Sequence, residues 1–464
     1  MPSPNAITVS ALSRNARILV LVVAFLGWFC AGMHMSITQL AGQAAAVDLL
    51  SQTGRIDKER FRDLAKQAKE KKTPLVDEEK VQLEQWNGTA ARWFAWFQCA
   101  FLFGAASGGL LFGWLGDRYG RAKGMSASIF TYSALAGVAY FAQSPEVLLV
   151  LWFLACMGVG GMWPNGVALL SEAWSGLSRA MVAGLIGTSA NVGIFMLATI
   201  ASSVAITPND WRWVMLVGAS PIVLAVVSML FVPESPRWLA SRQEKLAAPV
   251  ATSAPSDSVF RRPLLSVTLL AILLASTPVI GGWGVANWMI PWADKAAQAS
   301  DPPNPFLKAN VQQARALTGV IGSLIGGWIA SIVGRRLTYF SASLASLVIA
   351  QYIFTFMSPT DGTFLLWVAA LGFASGIYFG WLPLCLPELF PTRARSTGAG
   401  ISFNFGRIVT ALAVLTSGVL MEFVAGDYTR IGRLTSLVFL VGMVAIWFAP
   451  EPNRDLDGSN EKRA

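Results

Sequence analysis

The sequence predicts an all-α membrane protein, with twelve transmembrane helices in two homologous six-helix bundles and both termini cytoplasmic. Three observations carry this. Hydrophobic residues make up 54% of the 464 positions and charged residues only 13%, with a mean hydropathy of +0.53. A soluble domain of this length needs more charge on its surface. Apolar runs of about 20 residues, enough to cross the hydrocarbon core as helices, recur along the whole chain. The chain also repeats itself. Gly113-Trp114-Leu115-Gly116-Asp117-Arg118-Tyr119-Gly120-Arg121 returns 214 positions later as Gly327-Trp328-Ile329-Ala330-Ser331-Ile332-Val333-Gly334-Arg335. Glu172 with Arg179 returns as Glu388 with Arg395 at an offset of 216, and Pro233-Glu234 with Arg237 as Pro450-Glu451 with Arg454 at 217. A period of about 215 residues is far longer than a solenoid unit.

Helices are the natural reading of the runs, because a lipid-exposed backbone must satisfy its own hydrogen bonds. In the first half they fall at roughly 17–40, 91–116, 123–143, 147–171, 180–206 and 212–232. In the second half they fall at roughly 263–291, 310–332, 337–357, 363–386, 397–421 and 432–449. The expected domains are an N-terminal bundle over 1–239, a linker over 240–262 and a C-terminal bundle over 263–464. Basic residues orient them. Arg14, Arg17, Arg118, Arg121, Lys123, Arg237, Arg242, Lys245, Arg261, Arg262, Arg335, Arg336, Arg393 and Arg395 all fall on one side of a twelve-span chain, which makes that side cytoplasmic. The net charge of +9 is thus spread over short loops, and no nucleic-acid partner is expected. The first run spans and lacks a small-residue cleavage site, so no cleavable signal is expected. The expected location is the cell (inner) membrane, as a multi-pass monomer in contact with the lipid bilayer.

Two segments lie outside the runs. The insertion 41–90 holds a dense mixed-charge stretch from Arg55 to Glu84, in which Ile56, Phe61, Leu64 and Ala68 recur near helical spacing. One or two amphipathic helices on the outer face are expected there, and Asn87-Gly88-Thr89 is a glycosylation sequon. Residues 240–262 are rich in Ala, Ser and Pro, as in a flexible linker. The cysteines Cys30, Cys99, Cys156 and Cys385 all lie inside apolar runs without metal-ligand spacing. They are expected to be buried free thiols, with no metal and no cofactor.

The repeated segment resembles the loop signature of the major facilitator superfamily, Gly-x-x-x-Asp-Arg-x-Gly-Arg, with Ser331 replacing the acid in the second copy. Pro233-Glu234-Ser235-Pro236-Arg237-Trp238-Leu239 is similar to the end of the sixth helix in sugar porters and their relatives. Pro387-Glu388-Leu389-Phe390-Pro391-Thr392 with Arg395 resembles the matching segment after the tenth, and Trp211-Arg212-Trp213 also fits. The resemblance covers nearly the whole chain apart from 41–90. It points to the branch of sugar porters and organic acid–proton symporters. It implies a secondary transporter whose bundles rock about a central site. It further implies that Asp117, Arg118 and Arg121 form a charge network that locks the outward-facing state. Glu172, Arg179, Glu388 and Arg395 would act as latches at the inner helix ends, with Glu234, Arg237, Arg335, Glu451 and Arg454 as further gating groups.

Polar and ionisable residues inside spans are costly and mark function by default. Two ionisable groups stand out mid-membrane, the sole histidine, His34, and Arg407, about eleven residues or roughly 16 Å into the eleventh span. A guanidinium keeps its proton, and no span carries an obvious carboxylate for it. Asn404 lies one turn earlier on the same face. The repeat copy, Asn191-Val192-Gly193-Ile194, keeps Asn and Gly but has Ile in place of Arg. This asymmetry suggests a negatively charged solute; the alternative is a guanidinium on helix-end carbonyls or in a watery vestibule. His34 titrates near neutrality and suits proton coupling, or else a hydrogen bond to a neighbouring helix. Many proton-coupled relatives place an acid in the first or fourth span, where this chain has His34 and Met162. Gln98, Trp163, Asn165, Asn191, Trp283, Asn287 and Trp288 offer amides and stacking faces, and helix packing would use them equally well. Tyr378 and Trp381 are placed to gate the inner side. No nucleophile–base constellation or phosphate loop is present, so no enzyme activity is expected. The function expected is uptake of a small organic anion, a monocarboxylate or acidic sugar, with protons as co-ion. A neutral sugar or polyol carrier is the alternative, and a non-transporting sensor rests on the insertion alone.

Overall fold

A computed structural model describes residues 12–68, 75–174, 179–247, 259–262, 264–299, 304–390, 395–423 and 427–449. Its regular structure is entirely helical. In chain order the helices are α1 (Arg14–Gln52), α2 (Lys58–Gln67), α3 (Asp77–Tyr119), α4 (Arg121–Ala139), α5 (Pro145–Ala173), α6 (Arg179–Ala201), α7 (Trp213–Ala219), α8 (Ile222–Phe231) and α9 (Pro236–Ala247). They continue as α10 (Leu264–Ile280), α11 (Met289–Ala299), α12 (Leu307–Ile332), α13 (Arg335–Phe356), α14 (Phe364–Glu388), α15 (Arg395–Phe423), α16 (Tyr428–Ser436) and α17 (Val438–Ala445). Among the described residues ten helical stretches are long and apolar enough to cross a membrane. The third and fifth expected spans are not among the ten. α4 is 19 residues rich in small and hydroxyl side chains, and the described apolar part of α6 is the shorter Gly187–Ala201.

Local chemistry sets many helix ends. Ser13 caps α1 by accepting from the Ala16 amide at 3.2 Å, and Ser144 caps α5 at 3.3 Å with Pro145 in the first turn, where Pro needs no amide hydrogen. Gly120 and Gly334, 214 positions apart, turn the chain with φ of 124° and 104°, a region open to glycine. The repeat also governs packing. α3 lies along α5 and α12 along α14. Gly108 sits against the Met157 carbonyl and Gly322 against the Phe373 carbonyl, so each crossing brings backbones together as small residues allow in membranes.

Three expectations change in detail. The seventh run is not one helix. α10 contains Pro278 and passes into a π turn, Gly281–Val285, and a 3-10 turn, Ala286–Trp288, before α11. The insertion is mostly a continuation of the flanking helices. α1 runs on to Gln52, α3 begins at Asp77, and only α2 is separate. Asp57 caps α2 through the Arg60 amide at 3.0 Å, Leu64 is buried, and Phe61 meets Trp86 edge-on at 6.1 Å. Asp48 ties this region down, accepting from Lys58 at 3.1 Å, Gln52 at 2.9 Å and the Trp211 indole at 3.0 Å. The linker expected over 240–262 begins as helix, since α9 reaches Ala247. All four cysteines are free, and Cys99, Cys156 and Cys385 are buried.

Candidate functional site

Arg407 projects from α15 at its crossing with α3 and is only 7% exposed. Its Nη1 donates to the Ala105 carbonyl of α3 and to Asn404 Oδ1, both at 3.3 Å. Its guanidinium lies over the Phe403 ring at 4.7 Å, a favourable place for a desolvated cation. Asn404 presses on Gly109, and one turn beyond Arg407 the Cys99 thiol faces the Ala411 carbonyl at 3.5 Å. Among the described residues no carboxylate pairs with Arg407, so all its partners are neutral.

A second guanidinium was missed. Arg315 of α12 is half-buried where α12 meets α1 and the π turn Gly281–Val285. Its Nη2 donates to Gln312 Oε1 at 2.9 Å and to Gln39 Oε1 at 3.2 Å, and its Nη1 to the Gly282 carbonyl at 3.3 Å. The Gln312 amide also donates to Gln39 Oε1. Arg315 thus stands beside His34 and Arg407 as an ionisable group inside an apolar run, with neutral hydrogen-bond partners. The available signal was its place inside the 310–332 run, between Ala314 and Ala316. Its nearness to the start of that run made it look interfacial.

The other candidates divide into groups. Asn287 Nδ2 donates to Gln98 Oε1 at 3.3 Å, so the broken seventh segment and α3 share an amide pair. Asn191 reaches Ser323 at 3.5 Å, and Thr188 meets the same hydroxyl at 3.3 Å. Trp288 is buried 6.2 Å from Tyr428, and Trp163 lies 5.1 Å from Trp28. Asn165 donates to the Phe112 and Gly161 carbonyls, each at 2.9 Å, and fills the space beside Gly116 and Gly124. It is thus used where α3, α4 and α5 cross, apart from Arg407. His34 is fully buried. Its Nδ1 faces the Cys30 carbonyl at 3.1 Å and its Nε2 the Tyr132 carbonyl at 3.3 Å. Tyr132 packs edge-on at 4.7 Å and Trp152 stacks at 5.9 Å. These neighbours all belong to α1, α4 and α5, so the structure does not bring His34 together with either guanidinium.

At the helix ends around Gly120, Arg121 pairs with Asp117 at 2.5 Å, and Arg118 lies over Trp114 at 5.7 Å and Tyr119 at 5.8 Å. Glu234 accepts from the Ala122 amide at 3.1 Å and the Ser235 amide at 2.9 Å. Ser235 donates its hydroxyl to Glu172, and the Trp238 indole donates to the Asp117 carbonyl at 2.8 Å. In the second half Glu388 takes Arg335 through two bonds, one of them at 3.0 Å. Tyr378 donates to Ser343 at 2.7 Å and the Trp381 indole to the Arg335 carbonyl at 2.8 Å. The side chains of Arg179, Arg237 and Arg395 lie outside the described residues, as do Glu451 and Arg454.

A helical membrane protein with polar groups buried between its helices and ion pairs at helix ends has the construction of a secondary transporter. Comparison with known proteins agrees. The sequence model of the Major Facilitator Superfamily matches residues 80–309. The chain is 29% identical over 362 residues to the cis,cis-muconate transport protein of Acinetobacter baylyi, covering 76% of this chain and 84% of that protein. It is 23% identical over 321 residues to a sialic acid transporter of Escherichia coli, covering 69% and 75%. The crystal structure of a D-xylose–proton symporter superposes with a TM-score of 0.67 at 15% identity, covering 94% of this chain and 98% of that one. Over residues 80–309 this chain is similar to the major facilitator superfamily, and it shares the fold of that solved transporter. It is a multi-pass transporter of the cell membrane and not an enzyme.

Proposed function

We propose that this protein moves a small organic anion, a monocarboxylate or an acidic sugar, across the membrane by alternating access, with a proton as co-ion. In this reading twelve spans form two six-helix bundles with cytoplasmic termini, and the bundles rock about the level of Arg407. The observation that carries it is the Arg407 guanidinium, buried between α3 and α15 with neutral partners only. A buried cation without a counter-charge is costly, and a solute carboxylate would neutralise it through a bidentate contact. Asn404 already shares the guanidinium and would orient the anion, with Asn191, Gln98 and Asn287 as further polar contacts. Relatives that carry muconate and sialic acid support a carboxylated solute.

His34 would hold the proton. Two carbonyl oxygens face its ring, and only the imidazolium, with two N–H groups, donates to both. The inner ion pairs Asp117–Arg121 and Arg335–Glu388 would be remade as the bundles rock. A second reading, a neutral sugar or polyol carrier, draws on the Gln98–Asn287 amide pair, which suits hydroxyl groups.

Thermal denaturation of the purified protein against organic anions and neutral sugars, beside Arg407→Ala, tests the proposal. A ligand at about 100 times its dissociation constant adds about 2.7 kcal/mol to stability. Stabilisation by an anion, lost in the variant, is the expected result. Equal stabilisation of both proteins by a neutral sugar overturns it. For coupling, an inward proton gradient should accelerate anion uptake in the native protein, and an equal acceleration in His34→Gln removes the histidine from the mechanism.

A further inference from the structure

We infer that the solute carries two carboxylates, one held by Arg407 and the other by Arg315. This rests on the organic-anion reading and narrows it, because a monocarboxylate answers one guanidinium and the helices hold two. One is buried and one half-buried, and their hydrogen-bond partners are all neutral.

Both arginines are intramembrane, and among the described residues neither meets a carboxylate. Arg315 spends its N–H groups on the Gln39 and Gln312 amide oxygens and the Gly282 carbonyl. Arg407 spends its own on Asn404 and the Ala105 carbonyl. A guanidinium has five N–H donors, so each retains capacity for an incoming anion. The carboxylate of Asp294, at the outer end of the same half, is engaged by Lys308 at 3.3 Å.

The two cations lie on different elements but are connected through one helix. Gly406, next to Arg407, packs on Ala275 of α10, while the carbonyl of Gly282, in the π turn that follows α10, accepts from Arg315. Seven residues, five to the end of α10 and two in the π turn, separate these points, roughly 10 Å along the chain's axis. A single small anionic group does not span that distance. Two carboxylates joined by a spacer of several bonds do. Between the two levels Phe101 stacks on Trp283 at 4.5 Å. Phe101 stands one turn from Ala105 on α3, and Trp283 follows Gly282. This gives an apolar wall between two cationic ends, complementary to an apolar or conjugated spacer.

The arrangement also links binding to movement. Gln39 belongs to α1, and its oxygen accepts from both Arg315 and Gln312. A carboxylate taking the free N–H groups of Arg315 would draw on the guanidinium that Gln39 shares, so solute binding would bear on the bond between α1 and α12.

The test uses purified full-length protein and two matched series, dicarboxylates from succinate to suberate and monocarboxylates from butyrate to octanoate, with dissociation constants read by thermal shift. Native protein, Arg315→Gln, Arg315→Lys and Arg407→Gln are compared, each first shown to be monodisperse. At least one dicarboxylate should bind native protein about tenfold or more tighter than the monocarboxylate of equal carbon number, the worth of one charge-assisted contact. Arg315→Gln should erase that difference while leaving monocarboxylate binding intact, and Arg315→Lys should restore part of it. Arg407→Gln should weaken both series. If Arg315 merely pins α1 to α12, its loss lowers the melting temperature without changing the ratio between the series, and the inference falls. Equal binding of both series by native protein also overturns it and leaves the organic-anion reading standing. Binding of neither series removes both.

Discussion

The two halves of the repeat use one scaffold for different chemistry. Gln98 in α3 and Gln312 in α12 stand 214 positions apart, yet three residues on, one half has Phe101 and the other Arg315. Asn191 in α6 matches Asn404 in α15, and three residues on, Ile194 faces Arg407. Features that fold the chain are kept in both copies, as at Gly108 and Gly322 or the turns at Gly120 and Gly334. The cations are confined to the second copy. Backbone geometry at a close crossing admits one answer and so survives duplication. Under the proposed function an asymmetric solute would need different groups on its two sides, and the residues that meet it would diverge.

The comparison predicts its own failures, the largest at the scaffold. Gly108→Val and Gly322→Val each push a side chain into a facing carbonyl, and each should cost about 1–3 kcal/mol or more. Yield of monodisperse protein and melting temperature check this, and a strong effect in one half alone breaks the equivalence of the crossings. Next come the divergent positions. Arg407→Ala should abolish anion uptake in vesicles, while Ile194→Ala, its counterpart, should leave uptake close to native. Comparable losses would mean that the halves share the site evenly. A smaller effect is expected at Asp48, which has no role in the repeat. Asp48→Asn weakens its bonds to Lys58 and Trp211, costing about 1–3 kcal/mol, with the insertion becoming the first region to lose hydrogen-exchange protection. The smallest is Ser331→Asp, which restores the acid absent from the second signature. An exposed pair contributes about 0–1 kcal/mol, and Arg335 is already held by Glu388, so uptake and melting should barely move.

Much of the fold was legible in the sequence because it is written in one dimension. Spans appear as apolar runs, and the repeat as matched glycines and charges. The site was less so. Arg407 stood out because it lies deep in an apolar run. Arg315 did not, since it lies near the start of one and α12 begins at Leu307. Its significance comes from Gln39 and Gly282, which are distant in sequence. His34 was visible as a titratable side chain, but the carbonyls of Cys30 and Tyr132 that face it are products of packing. The break at Gly281–Trp288 was foreshadowed by its glycines, while its π and 3-10 turns depend on how α10 and α11 seat against α12 and α16.

One further property follows from α3, a single helix of 43 residues, about 65 Å from end to end. Its inner end bears Asp117, its middle supplies the Ala105 carbonyl to Arg407, and its outer end stands in the insertion near the exposed Val81. An unbroken rod that tilts about its middle swings its two ends in opposite directions. If the bundles rock as proposed, the tip of α3 near Val81 is a lever arm that would turn a small rotation at the buried arginine into a larger sweep at its far end. A fluorophore attached there would then follow the rocking without touching the Asp117–Arg121 pair.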